Sequence, residues 1–310
     1  MRIVVYQGPG AGSRSVLTVV QSLQRALRPY VRVETIGKDG LISVLNRKDG
    51  VNEDWRLDCL ALVMPGGADI PYCKQLNGEG NAIIKKFVYD GGAYIGLCAG
   101  AYFGCAEIEF ELGDPLLEVT GPRELKFFRG CGKGSIVPGF EYQTEKGAAA
   151  CQVRYVDWLE SMDKHGNVVS GRTKWKNTLD YVNGGPYFCK TDGTPVRINT
   201  RLGEDVDVIA TYPDKSHLAC AIQCQVGKGR AVLCSSHPEL EHEWLKGSVM
   251  EVSDKVFAMS ESGHPELRES KEYLHHLNHL VHMLEANASA RRDFWKTILC
   301  ASGLKNHIKH

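Results

Sequence analysis

The sequence predicts an α/β fold: a mostly parallel sheet with helices on both faces, a β-rich stretch in mid-chain and a helical C-terminal end. Three observations carry this expectation. The first hundred residues alternate short apolar runs with amphipathic segments four times, the rhythm of βα units. The runs Cys59 to Met64 and Ala93 to Leu97 are continuously apolar, as in strands covered on both faces. Between Gly104 and about residue 200 the texture shifts to Gly, Pro and Asp turns separating short β-like pieces.

Taken in order, Ile3 to Tyr6 is the first strand, and Gly8-Pro9-Gly10-Ala11-Gly12 is the turn after it. That turn matches neither G-x-G-x-x-G nor a Walker loop, so it is read as a tight βα connection lining a cleft rather than a phosphate cradle. A helix from Val16 to Leu27 follows, with Ser13 or Ser15 as N-cap, and Pro29 stops it. Val31 to Ile36 is the second strand, and a polar, irregular segment runs on to Leu57. The third strand, Cys59 to Met64, ends in Pro65-Gly66-Gly67-Ala68-Asp69. A helix over Asn81 to Tyr89 closes on Asp90-Gly91-Gly92, a C-cap signature. The fourth strand, Ala93 to Leu97, runs into Cys98, and Ala99 to Gly104 starts the next helix.

Within the mid-chain stretch, Cys151 to Tyr155, Asn167 to Ser170 and Thr178 to Val182 read as strands. Val206 to Tyr212 is a further strand. His217 to Gln225 and Arg230 to Ser235 form an antiparallel hairpin around Gly227-Lys228-Gly229. From about Leu240 to Leu304 the pattern is helical, broken near Ser262 to Pro265. The expected organisation is one domain over 1–260, with 105–200 as its β-rich insertion, and a helical extension over 261–310 packed on the same domain.

Composition narrows the function classes. The 310 residues are 43% hydrophobic, enough for a sizeable core. Lys plus Arg and Asp plus Glu are 37 each, so no charge excess points to nucleic acid or an anionic membrane, and neither is expected as a partner. No apolar run reaches a membrane span, and Met1 to Tyr6 is too short for the core of a secretory leader. The eleven cysteines show neither C-x-x-C nor zinc spacing and read as reduced thiols, which places the protein in the cytoplasm. His275, His279 and His282 share a helical face without matching Cys or carboxylate spacing and read as a solvated face. No metal and no cofactor is expected.

The chemistry concentrates at Gly96-Leu97-Cys98-Ala99-Gly100. G-x-C-x-G at a strand-to-helix junction is the cysteine form of a nucleophile elbow: the sharp turn lifts the sulfur to the sheet's carboxyl edge at a helix N-terminus, where the dipole favours an anion. The pentapeptide alone also suits a buried structural cysteine. The Gly66-Gly67 turn at a neighbouring strand end suits an oxyanion hole made by the N–H groups of Gly67 and Ala99, and equally an ordinary βα turn. Ser236-His237-Pro238-Glu239 follows another strand. It supplies a base, His237, and an orienting carboxylate, Glu239, with the proline stiffening the turn between them. His264-Pro265-Glu266 repeats the tripeptide without a strand before it and reads as a helix start. Asn183, in Asn183-Gly184-Gly185, either presents its amide into the cleft or belongs to an Asn-Gly turn.

In this order, Pro65-Gly66-Gly67, Gly96 to Gly100 and Ser236 to Glu239 resemble class I glutamine amidotransferase domains. The longer matches, Pro65 to Asp69 with Pro71-Tyr72, Gly91 to Gly104, Asn183 to Gly185 and His237 to Glu239, resemble the N-terminal domain of eukaryotic-type biotin protein ligases and its stand-alone relatives over roughly residues 1–250. The resemblance implies a flavodoxin-like three-layer sandwich, a Cys98–His237–Glu239 triad acting through a thioester, and an oxyanion hole of Gly67 with Ala99. Gly66, Asp69, Tyr102 and Asn183 become substrate-pocket candidates. Two departures shape the expectation. Amidotransferases carry Gln four residues after the nucleophile, and this chain has Tyr102, which points away from glutamine. No ligase catalytic segment follows, and Ser170-Gly171-Arg172 lacks that enzyme's repeated Gly-Arg, so biotinylation by this chain alone is not expected. The expected partner is a small amide or acyl substrate. The contrasting expectation is a non-catalytic regulatory or binding module that associates with a biotin ligase or another protein.

Overall fold

The structure is a computed structural model and describes residues 1–43, 54–169, 173–197, 206–262 and 265–309. Strands β1 (Arg2–Tyr6), β2 (Arg32–Ile36), β3 (Cys59–Met64), β4 (Ala93–Leu97) and β13 (Gly229–Cys234) lie parallel in the order β2-β1-β3-β4-β13. The sheet continues antiparallel through β12 (Leu218–Val226), β11 (Val206–Tyr212), β8 (Ala149–Val156) and β9 (Trp175–Val182). The β12–β13 pair is the expected hairpin.

Period-two alternation decides which core each strand residue joins. Ile3 and Val5, Ala61 and Val63, and Ile95 and Leu97 face one layer, with Val19 and Leu23 of α1 (Ser13–Ala26) and Phe294 and Ile298 of α9 (Ala288–Leu299). Val4 and Tyr6, Leu62 and Met64, and Tyr94 face the other. That layer holds Tyr72 and Leu76 of α3 (Asp69–Leu76), Ile84 and Val88 of α4 (Glu79–Tyr89), and Phe103 of α5 (Ala99–Gly104). Burial on both faces is why these strands read as unbroken apolar runs.

The mid-chain β-pieces divide between two sheets. β5 (Cys105–Phe110), β6 (Val119–Pro122), β7 (Phe128–Gly134) and β10 (Tyr187–Cys189) form a separate four-stranded sheet in the order β10-β7-β5-β6, its Phe128 and Phe188 packed in the same core as α5. β8 and β9 instead extend the main sheet. Between those two strands lies the short α6 (Trp158–Ser161).

Several local expectations change. The irregular segment after β2 contains a short helix, α2 (Lys38–Ile42). The turn at Asp69 opens α3, with Pro71 in the first turn, where a missing N–H costs no helical bond. Gly12, not a serine, occupies the N-cap of α1; the Ser15 hydroxyl instead accepts the Gly66 N–H at 2.9 Å. Of the expected strand at Asn167, an isolated antiparallel bridge of Val168 with Met162 is formed, closed by a turn in which the Asp163 carboxylate takes the N–H groups of His165 and Asn167. The Ser170 to Arg172 echo and His264 lie outside the described residues. The helical end consists of α7 (Glu243–Ser262), α8 (Leu267–Ala286) and α9, and among the described residues no helix is long and apolar enough to cross a membrane. His275, His279 and His282 lie exposed on α8, as expected of a solvated face.

Candidate functional site

Cys98 sits between β4 and α5 with φ +48° and ψ −102°, a conformation costing a non-glycine residue about 1–3 kcal/mol. Its N–H donates to the Cys234 carbonyl of β13 at 2.9 Å, and its own carbonyl accepts from Ala101 and Tyr102 at 2.9 and 3.1 Å. The flanking glycines are required by contact. A Cβ on Gly96 would stand 2.3 Å from the Gly100 carbonyl oxygen, and one on Gly100 would stand 2.1 Å from that of Met64.

Because β4 and β13 are adjacent and parallel, the loops that follow them leave the same sheet edge. That places His237 and Cys98 on the wall of the same cleft. His237 Nδ1 lies 2.8 Å from Glu239 Oε1, and both residues are buried. Burial on its own would lower the His237 pKa; the Glu239 charge, the neighbouring Cys98 and the hydrogen bond to Glu239 outweigh it and hold it well above the usual imidazole value. A Cβ on Gly66 would come within 2.6 Å of His237 Cε1, so glycine at 66 makes room for the ring. Gly66 lines the cleft, but its N–H is taken by Ser15 and its carbonyl accepts from Gly12 at 3.0 Å. Gly67 has φ +148°, and a Cβ there would overlap the Gly10 carbonyl oxygen at 2.0 Å. Among the described residues, neither the Gly67 N–H nor the Ala99 N–H is engaged by another group of the chain.

Cys98 stands where two cavities meet. Outside it is a cleft of about 550 Å³, whose lining includes Gly10 to Gly12, Arg14, Glu145, Tyr181 and His237. Inside it is a chamber of about 40 Å³ that includes Asp69, Tyr102, Ile108, Phe110, Phe140 and Tyr142. Gly67, Ala68, Cys98, Phe140, Tyr142 and Asn183 border both. Asp69 is buried and accepts from Arg123 Nε at 2.6 Å. The Tyr102 ring walls the chamber while its hydroxyl donates to the Gly184 carbonyl at 3.1 Å. Asn183 donates its amide to the Thr144 carbonyl at 3.0 Å and to the Tyr181 hydroxyl at 3.2 Å, leaving Oδ1 buried without a partner among the described residues. The Asn183 carbonyl lies 3.5 Å from Cys98 Sγ.

Sequence reasoning missed the residues that hold this arrangement. Arg291 of α9, 2% exposed, donates through Nε to Asp180 Oδ1 at 2.8 Å and through Nη2 to the His237 carbonyl at 2.9 Å. The His237 N–H donates to the Tyr181 carbonyl at 2.9 Å, and the Tyr181 ring packs edge-on against the imidazole, centroids 5.6 Å apart. Glu145, also buried, takes the Tyr181 hydroxyl and the Arg14 guanidinium, while His276 of α8 meets its carbonyl at 3.0 Å. One signal was available. Arg291 shares a helical face with Phe294, Trp295 and Ile298, and a charge on an apolar stripe needs a buried partner.

Fold and site together define a class of protein: an α/β sheet carrying a cysteine elbow, with a His-x-Glu loop on the next strand. Within it, the chain belongs to the family described as "Biotin-protein ligase, N terminal", whose model matches residues 1–310, including the helical end beyond the expected 1–250. A biotin–protein ligase of Schizosaccharomyces pombe is 34% identical over 245 residues, which cover 78% of this chain and 34% of the ligase. The chain therefore spans about a third of that relative. An uncharacterized protein of Chlamydia muridarum is 31% identical over 228 residues, covering 72% of this chain and 83% of its own. Among solved structures, a glutamine amidotransferase from Thermotoga maritima aligns with 96% of this chain and 98% of its own at TM-score 0.45 and 10% identity.

Proposed function

We propose that this chain carries out cysteine-based acyl chemistry of the amidotransferase type on a small amide or acyl compound other than glutamine, in a cytosolic setting that keeps its thiol reduced. One observation carries the reading: Cys98, at a strained elbow between two cavities, shares its cleft with an imidazole whose Nδ1 is held by a buried carboxylate.

In this mechanism His237 holds the proton while the Cys98 sulfur attacks the carbonyl carbon and the C–S bond forms. The Gly67 and Ala99 N–H groups face the developing oxyanion. His237 then delivers the proton to the departing nitrogen as the C–N bond breaks, leaving a thioester on Cys98. Water or an amine gives its proton to His237 and attacks the thioester, and the sulfur leaves while His237 keeps that proton. Glu239 stays ionised throughout and keeps the imidazole oriented. Tyr102 supports a substrate other than glutamine, because its ring fills a position where the resemblance implies a substrate-binding amide.

The same Tyr102 geometry favours a second reading, a ligand-binding or regulatory module that associates with a biotin ligase; the fission-yeast relative, of which this chain covers 34%, is described as such an enzyme. Incubating the full chain with a panel of amides that includes glutamine, and following intact mass, separates the two. An acyl adduct on Cys98, absent in Cys98→Ala and accumulating with an amide other than glutamine, supports catalysis. A panel that yields no adduct and no turnover rejects it.

A further inference from the structure

We infer that the inner chamber selects a short acyl group ending in an ammonium, and disfavours one ending in a carboxylate; this rests on the thioester reading and names its substrate class. The chamber is far narrower than the cleft, about 40 Å³ against about 550 Å³. An acyl group entering past Cys98 is therefore short, and its tip meets the chamber walls.

Those walls offer acceptors. Asp69 brings a buried carboxylate, engaged among the described residues only through Oδ2, by Arg123. Asn183 brings a buried Oδ1 with no partner, because its amide nitrogen is already committed to Thr144 and Tyr181. The Tyr102 hydroxyl donates to Gly184; Arg123 holds Asp69 and donates through Nη1 to the carbonyls of Gly121 and Pro122, while its Nη2, on a residue outside the chamber lining, is buried without a partner among the described residues. Among the described residues, no Lys, Arg or His lines the chamber.

The remaining wall is aromatic. Tyr102, Phe110, Phe140 and Tyr142 form a chain of edge-to-face rings with centroids 5.7, 5.2 and 4.8 Å apart. Aromatic faces beside a carboxylate attract a cation that has left water, and they give a carboxylate no compensation for its lost hydration. Beyond burial itself, the Asp69 charge further raises the pKa values of Tyr102 and Tyr142, so it is felt at both ends of this ring chain.

Three thiol-specific probes of graded charge test this on the full chain: aminoethyl, methyl and sulfonatoethyl methanethiosulfonate. In each case the Cys98 sulfur displaces methanesulfinate and forms a mixed disulfide. Rates at Cys98, read by peptide mass mapping, are normalised to those of a free thiol in solution. The expected ammonium-to-sulfonate preference is about tenfold, the factor one charge-assisted contact supplies. It falls to the free-thiol ratio when Asp69→Asn is combined with Arg123→Gln, which removes both charges of the buried pair. Wild-type rates alone decide the matter if that variant does not fold. A wild-type ratio equal to that of the free thiol overturns the inference and leaves the thioester reading standing, as does a preference that survives the double substitution. Failure of all three probes to modify Cys98 overturns both.

Discussion

The two halves of the site are built differently. The nucleophile half is contiguous: strand, elbow and helix lie within residues 93–104, and its glycines sit against backbone, Gly96 against Gly100 and Gly100 against Met64 of the neighbouring strand. The base half is assembled at long range. His237 is held through its N–H by Tyr181 on β9 and through its carbonyl by Arg291 on α9. A contiguous motif can thus specify where a nucleophile stands, while the position of its base depends on elements far along the chain.

The contrast is sharpest at Arg291. Arg291→Ala leaves the Asp180 carboxylate buried without its ion pair, and removing one partner of such a pair costs about 3–5 kcal/mol. Urea unfolding should show that loss, and Cys98 alkylation should slow at urea concentrations where the variant is still folded, because the His237 loop has lost its anchor. Unchanged stability would mean that α9 does not hold the base.

The elbow half should break on a single methyl group. Gly100→Ala forces a Cβ against the Met64 carbonyl oxygen, an overpacking worth about 1–3 kcal/mol, read as a lower denaturation midpoint. A neutral result would deny that backbone contact shapes the elbow.

A pH series sharpens the base half. His237 binds its proton more tightly in the folded chain than its ordinary value of 6.5 allows. The resulting stability is fully present below that value and is lost as pH rises through the raised one. Glu239→Gln removes the principal upward influence and leaves burial to lower the pKa, so the loss of stability with rising pH should shrink or reverse. Unfolding followed at a series of pH values reports it, and an unmoved profile would show that Glu239 does not govern the imidazole. The smallest effect is expected at Ser15→Ala, which takes the acceptor from the Gly66 N–H and should cost about 1 kcal/mol in the same unfolding assay.

The same division between local and distant contacts explains what could be read from the sequence. β3, β4 and β11 fall at the expected residues because apolar runs bounded by turn residues are local signals. The meeting of Cys98 and His237 was legible because two strand-end motifs on a parallel sheet share an edge. The sharing of mid-chain strands between two sheets was not, since nothing within β8 or β9 says which strand will pair with it. Ser15 looked like a helix cap until the Gly66 loop, distant in sequence, competed for its hydroxyl. Glu145 and Arg14 carry no motif at all, and their pairing exists only once β1, β8 and β9 have assembled.

The central claim is that His237 activates Cys98. Iodoacetamide alkylation at neutral pH, resolved by peptide mass mapping over all eleven cysteines, tests it most directly. The account predicts that Cys98 reacts first and that His237→Ala slows it by at least about tenfold, the low end of the general-base range being larger still. Equal Cys98 rates in the two proteins, or a Cys98 slower than the half-exposed Cys73, would contradict it.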